Sequence, residues 1–77
     1  MPMLREIQFV LAISAEQYRR YYRGQAHVVQ VRSVEGEIVQ FPASVLKPHL
    51  THAGIHGRFV LQVDADHRVA GLRRIGA

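Results

Sequence analysis

The sequence contains no cysteine among its 77 residues. Small secreted domains commonly depend on disulfides, because a chain of this size buries too little surface for its core alone to secure the fold. The absence of cysteine therefore argues against a disulfide-stabilised secreted protein and is typical of a protein of the reducing cytoplasm. It also removes the thiol as a catalytic nucleophile.

Long apolar runs are missing as well. No segment approaches the roughly 20 apolar residues that a membrane-spanning helix needs. The N-terminal stretch MPMLREIQFVLAIS superficially resembles a signal peptide, but Glu6 and Gln8 interrupt it and its apolar residues alternate. We therefore expect this stretch to belong to the folded protein, and we expect no membrane partner.

Recognisable catalytic motifs are also absent. Ser33 and Ser44 have no histidine and aspartate nearby in the arrangement of a hydrolase triad, and Ser14 fits a helix cap. Asp64 and Asp66 fall in a predicted hairpin turn, where aspartate is a common residue. The sequence has no glycine-rich phosphate-binding motif. It therefore predicts a protein without enzymatic activity and without a cofactor.

Positive charge is what the sequence has in excess. Ten lysines and arginines stand against six acidic residues, which gives a net charge of +4. This balance indicates a polyanionic partner, either nucleic acid or an acidic protein. The length allows a single small domain over residues 1–77. Its core is small enough that association into a homodimer would add stability.

Hydrophobic periodicity predicts an α+β fold. Alternating apolar residues indicate strands at 7–13, 27–33, 37–41, 57–64 and 68–75. A helix is predicted at 15–23, with Ser14 and Gln17 as a capping box and Gly24 as a left-handed cap. The order β-α-β-β-turn-β-β favours about five mostly antiparallel strands in a curled or barrel-like sheet, with one helix packed against it.

The predicted helix separates aromatic from basic residues. One arc carries Ala15, Tyr18, Tyr21 and Tyr22, and the opposite arc carries Arg19, Arg20 and Arg23. We predict that the tyrosines pack on the sheet and that the arginines face water. Buried tyrosines cannot stack on nucleic-acid bases, so this helix would contact a polyanion through its arginines.

The segment between the third and fourth strands is rich in proline, glycine and histidine. We predict one helical turn at 43–46, a stop at Pro48 and a loop over 48–56, which is the longest loop and hence a candidate contact site. Its candidate residues are Lys47, His49, His52 and His56. The histidines have an order compatible with a three-imidazole metal site, but the segment has no carboxylate or cysteine to complete a ligand shell. We therefore predict no metal site and expect hydrogen bonds from these side chains to the backbone.

Outward positions on the strands add further polar and basic residues. They are Gln30, Arg32, Gln40, Arg58 and Gln62, whereas Phe9, Phe41 and Phe59 fall on the inward side. Sheets that bind RNA usually present aromatic side chains on the binding face. The inward phenylalanines therefore weaken the case for RNA binding by the sheet itself.

Two functional hypotheses follow. In the first, the protein is a small binding module that contacts nucleic acid or another polyanion through Arg19, Arg20, Arg23, Arg32 and Arg58. In the second, it is a protein-interaction or self-assembly module that uses the loop at 47–56 and a free sheet edge.

Several segments resemble a known family. The matching elements are SAEQYRRYYRG at 14–24, FPA at 41–43, Leu46 with Pro48, T-x-x-G-I-H-G at 51–57, Phe59, and RVAGLRRI at 68–75. They resemble a family of short bacterial proteins catalogued as domain of unknown function 2835, and the resemblance covers nearly the whole chain. It implies a cytoplasmic bacterial protein and implies no activity.

Overall fold

The computed structural model describes residues 4–24 and 27–76. In chain order the elements are β1 (Arg5–Ile13), α1 (Ala15–Arg23), β2 (Val28–Arg32), β3 (Ile38–Pro42), a 3₁₀ helix (Ala43–His49), β4 (Ile55–Val63) and β5 (Val69–Gly76). One sheet has the order β1-β4-β5, and β2 pairs with β3 in a second sheet. All of these pairs are antiparallel, so the prediction of an α+β fold with mostly antiparallel strands is confirmed.

The strands do not close into a barrel, and that part of the prediction is wrong. The two sheets meet at an isolated bridge between Phe9 and Ser33, beside which the Val34 N–H donates to the Gln8 carbonyl at 2.8 Å. β2 is only five residues long, and the chain turns into β3 directly after this bridge. The described residues of β1 and β2 therefore do not form an extended ladder. Between β3 and β5 the described residues form a cleft rather than a ladder.

Three phenylalanines join the two sheets in the core. The ring centroid of Phe9 lies 5.6 Å from that of Phe41 and 5.7 Å from that of Phe59. Aromatic pairs at such distances contribute about 0.5–1.5 kcal/mol beyond the area that they bury. The predicted inward position of all three is therefore confirmed. The core also includes Ile7, Leu11, Val29, Val31, Leu61 and Val63.

Val60 is an exception to the simple alternation along β4. Alternation puts it on the same face as Arg58 and Gln62, which were predicted to point outward, yet it is only 3% exposed. β4 is the central strand of its sheet, and Val60 lies between Gln8 on β1 and Arg73 on β5. Neighbouring side chains on both flanking strands therefore cover it, although it lies on the face away from the core.

The helix begins and ends at the predicted residues. The Ser14 hydroxyl accepts from the Gln17 N–H, and the Gln17 side chain accepts from the Ser14 N–H, so the capping box is present. Gly24 is not the predicted left-handed cap, since its φ is −60° and its ψ is 155°. Its N–H donates to the carbonyls of Arg20 and Tyr21 at 3.0 and 3.3 Å, which satisfies the end of the helix without a left-handed residue.

The predicted loop at 48–56 is more ordered than the sequence indicated. The 3₁₀ helix continues through Pro48 to His49, because the φ that proline imposes is compatible with this helix type. A tight turn follows, in which Thr51 and Gly54 exchange backbone hydrogen bonds of 2.9 and 3.0 Å. β4 then starts at Ile55, two residues before its predicted start at residue 57.

Gly54 brings this turn against the junction of β1 and α1. Its φ is 104°, and a Cβ added there would lie 2.0 Å from the Ile13 carbonyl oxygen and 2.8 Å from the Ser14 backbone. Only glycine permits both this backbone conformation and this approach. The contact places the residues after the 3₁₀ helix beside the start of α1, and the candidate site lies between these two helices.

Candidate polyanion-binding groove

Most of the net positive charge lies on two neighbouring helices. α1 carries three arginines and one glutamate, and the 3₁₀ helix carries one lysine and no acid. These two elements therefore hold a formal charge of +3 out of +4 for the chain. The two helices contact each other, so their charges contribute to one local field.

Tyr18 anchors α1 to the 3₁₀ helix. It is 3% exposed, and its hydroxyl donates to the Ala43 carbonyl at 2.9 Å. Burial raises the pKa of Tyr18 above its ordinary value, and the neighbouring Tyr22 phenol raises it further. The neutral phenol is thus the form that suits this site.

The other two tyrosines of α1 are not buried, so the predicted aromatic arc is wrong for them. Tyr21 is 38% exposed and Tyr22 is 41% exposed. The main contacts of the helix are with the 3₁₀ helix and with one strand, β2. Of the three tyrosines, these contacts bury Tyr18 alone. Consecutive helix residues point about 100° apart, so Tyr21 and Tyr22 cannot both turn towards one narrow contact.

Tyr22 forms part of an open cleft between the two helices. The cleft has a volume of about 280 Å³ and is lined by Tyr18, Arg19, Tyr22, Arg23, Lys47 and Leu50. The Lys47 Nζ lies 5.8 Å from the centroid of the Tyr22 ring, which is within the range of a cation–π contact. None of the lining residues is acidic. The cleft therefore combines three cations with an accessible aromatic ring.

A second cleft continues the first along α1. Ala15, Arg19, Leu50, Thr51 and His52 line it. Arg19 and Leu50 line both clefts, so the two are contiguous. We refer to them together as the basic groove, which comprises Ala15, Tyr18, Arg19, Tyr22, Arg23, Lys47, Leu50, Thr51 and His52.

The five predicted arginines do not form one patch. Arg19 and Arg23 line the basic groove. Arg20 is exposed on α1 and pairs with Glu16 at 3.5 Å. Arg32 is exposed on β2 and Arg58 is exposed on β4, and neither lines the groove.

Sequence reasoning assigned three groove residues elsewhere. Tyr22 was expected in the core, and Lys47 and His52 were placed in a separate loop site. The 100° step between Tyr21 and Tyr22 was a signal that the two side chains would not both be buried in one contact. The approach of Lys47 to α1 had no signal in the sequence, because 24 positions separate it from Arg23 and the contact depends on how the two helices pack.

The three histidines at positions 49, 52 and 56 lie in two different clefts. Among residues 4–24 and 27–76, no three histidine, cysteine or acidic side chains lie close enough together to hold a metal ion. His52 lines the basic groove, whereas His49 and His56 line a cleft that also contains Arg74. The His56 Nε2 donates to the Ala53 carbonyl at 2.7 Å, so the expected hydrogen bond to the backbone is confirmed for His56.

A family model agrees with the resemblance that the motifs indicated. The model described as protein of unknown function (DUF2835) matches residues 5–75 of the chain. The chain belongs to this family. Searches of curated proteins and of solved structures found no match. The family description specifies no activity, so any functional assignment depends on the residues of the chain itself.

None of the helices in the described part of the chain is long and apolar enough to cross a membrane.

Proposed function

We propose that this protein is a small non-enzymatic module of the bacterial cytoplasm that binds single-stranded nucleic acid in the basic groove. The observation that supports this proposal is the exposed Tyr22 ring, which shares an acid-free cleft with Arg19, Arg23 and Lys47. Phosphates and unpaired bases are the two chemical groups that such a combination suits.

The cations of the groove suit a phosphate backbone. Arg19, Arg23 and Lys47 come from two elements that together carry no acid except Glu16. Glu16 pairs with Arg20, which does not line the groove. The field within the groove is therefore positive, and binding of a polyanion releases counterions.

The Tyr22 ring suits an unpaired base rather than a duplex. The ring lies within a cleft between two helices, and its contacts with Tyr18 and Lys47 restrict its orientation. A base paired within a duplex does not present its face to a recessed ring, whereas an unpaired base can enter the cleft and stack there.

Fluorescence polarisation with labelled oligonucleotides tests this proposal. We expect the full chain to bind mixed-sequence single strands at about 50 mM salt and to release them steeply as the salt concentration rises. A duplex of the same sequence should bind more weakly. If neither single-stranded DNA nor single-stranded RNA binds at about 50 mM salt, the proposal is contradicted.

Self-association is a second candidate function, and the sheet edges favour it. β3 and β5 each pair with one neighbour in the described part of the chain, and Ile38 and Ile75 on these strands are exposed. A second copy could extend either edge by antiparallel pairing. Light scattering over a range of concentrations tests this candidate, and a monomer at every concentration would reject it.

A further inference from the structure

A further cleft adjoins the basic groove, and Leu50 and Thr51 line both. It has a volume of about 270 Å³, and His49, Thr51, His56, Phe59 and Arg74 contribute to its lining. We refer to it as the histidine cleft. No acidic side chain of the described residues lines it. Two imidazoles and one guanidinium therefore face the same volume without a carboxylate to neutralise them.

Gly57 makes room for Arg74 at this cleft. A Cβ added to Gly57 would lie 2.7 Å from the Arg74 Nε and 2.7 Å from the Gly76 carbonyl oxygen, and the φ of Gly57 is 141°. The Arg74 side chain therefore lies directly over the backbone of β4, where any larger residue would displace it.

One hydrogen bond orients the Arg74 guanidinium. Its Nε donates to the Gly76 carbonyl at 3.3 Å. The two Nη groups have no hydrogen-bond partner among the described residues. A guanidinium presents its donors as a planar fork that matches two oxygens of a phosphate group.

Protein contacts also hold the two imidazoles in place. The His49 ring packs edge-on against Phe59, with centroids 5.2 Å apart and an angle of 80° between the planes. The His56 Nε2 donates to the Ala53 carbonyl, which places a proton on this nitrogen and leaves Nδ1 for a ligand. A ring nitrogen that carries a proton can donate to a phosphate oxygen. Thr51 is already engaged, since its hydroxyl donates to the Gly54 carbonyl at 2.9 Å.

We propose that the histidine cleft binds a phosphate group, with Arg74 as the main ligand and with His49 and His56 beside it. A phosphate monoester suits the cleft best, because three cationic or potentially cationic groups from three segments match its charge and its tetrahedral oxygens. None of these three proposed ligands lines the basic groove. The phosphate could belong to a free small molecule or to the end of a nucleic-acid strand.

NMR with inorganic phosphate tests this proposal directly. We expect phosphate to shift the backbone signals around His49, His56 and Arg74 in a saturable way in proton–nitrogen spectra, whereas chloride at the same ionic strength should not. Arg74→Gln should weaken the response about tenfold or more, because a charged hydrogen-bond partner is lost. Identical responses to phosphate and chloride, or an undiminished response in Arg74→Gln, would overturn the proposal.

Arg73→Gln provides the matched control. Arg73 is the adjacent residue on the same strand, and it faces Glu6 at 3.6 Å instead of the histidine cleft. Its substitution should leave the phosphate response unchanged. If Arg74→Gln perturbs the whole spectrum, His49→Gln carries the same test, because His49 lies on a different element. An unchanged phosphate response in the folded His49→Gln variant would then count against the site.

Oligonucleotides with a 5′-phosphate or a 5′-hydroxyl distinguish the two sources of the phosphate. If the ligand is a strand end, the phosphorylated strand should bind more tightly to the wild-type chain, and Arg74→Gln should remove that preference. If the ligand is a free small molecule, both strands should bind equally while inorganic phosphate still gives its saturable response. In either case Tyr22→Ala should preserve the phosphate response, so failure of the basic groove and failure of the histidine cleft are separable.

Discussion

The Lys47 ammonium lies over the Tyr22 ring, 5.8 Å from its centroid. The two residues belong to different helices, and the hydrogen bond from the Tyr18 hydroxyl to the Ala43 carbonyl joins the same two helices. The buried hydrogen bond therefore holds the two helices together, and the exposed contact between Lys47 and Tyr22 lies in the cleft between them.

Substitution of Tyr22 tests stacking. We expect Tyr22→Ala to weaken binding to single-stranded oligonucleotides about tenfold, because stacking of one base on an aromatic ring contributes about 1–3 kcal/mol. Tyr22→Phe should retain most of the affinity, since the ring remains. Tyr21→Ala is the control, because Tyr21 is similarly exposed but does not line the groove. Equal losses from Tyr21→Ala and Tyr22→Ala in polarisation titrations would argue against a stacking site.

Neutral substitutions of the groove cations test the phosphate contacts. Arg19→Gln and Lys47→Gln should each weaken binding and reduce the slope of log affinity against log salt by about one unit per lost phosphate contact. Arg32→Gln removes the same charge from an exposed position outside the groove. We expect it to leave the slope nearly unchanged. A uniform effect of all three substitutions on the slope would indicate diffuse charge attraction and no defined groove.

Gly54 and Gly36 form a matched pair for testing how the turn at 51–54 packs against the junction of β1 and α1. Both have positive φ, at 104° and 92°, but an added Cβ at Gly36 meets nothing within 4 Å, whereas one at Gly54 would lie 2.0 Å from the Ile13 carbonyl oxygen. Gly36→Ala should lower the free energy of unfolding by about 1–2 kcal/mol through backbone strain alone. Gly54→Ala should cost at least about 3 kcal/mol or prevent folding. Urea denaturation measures the free energy of unfolding of both variants. Equal losses of stability would show that the turn is not in close contact with the β1–α1 junction.

The buried phenol of Tyr18 makes stability sensitive to alkali. Its folded-state pKa is raised by burial and then by Tyr22, so the folded protein retains this proton at a pH where the unfolded chain has lost it. Stability from this group is therefore complete below the ordinary pKa of 10.0 and falls as the pH rises above it.

Tyr18→Phe isolates this effect. The substitution should lower the free energy of unfolding at neutral pH by about 1 kcal/mol, because the Ala43 carbonyl loses its donor. It should also reduce the decline in stability above pH 10. Tyr21→Phe, at an exposed phenol, should change neither property. If the alkaline decline measured by denaturation at several pH values is the same in Tyr18→Phe and wild type, then Tyr18 is not its source.

Local sequence patterns were sufficient to predict the five strands and α1, but not the full length of the 3₁₀ helix. The capping box of Ser14 and Gln17 marked the start of α1 because both hydrogen bonds lie within four consecutive residues. Alternation placed Phe9, Phe41 and Phe59 inside because successive side chains of a strand point to opposite faces. The predicted strands lie within about two residues of the observed ones, which is the usual uncertainty of an element boundary.

Only the tertiary structure determined which of these side chains meet. Tyr22 is exposed and Lys47 lies over it because α1 packs against the 3₁₀ helix, a contact that no local pattern specifies. His49 and His56 share a cleft with Arg74, while His52 lies in the basic groove with Arg19. Hydrogen bonds and side-chain alternation within a few residues are encoded locally. The basic groove and the histidine cleft arise from long-range packing between segments far apart in the chain.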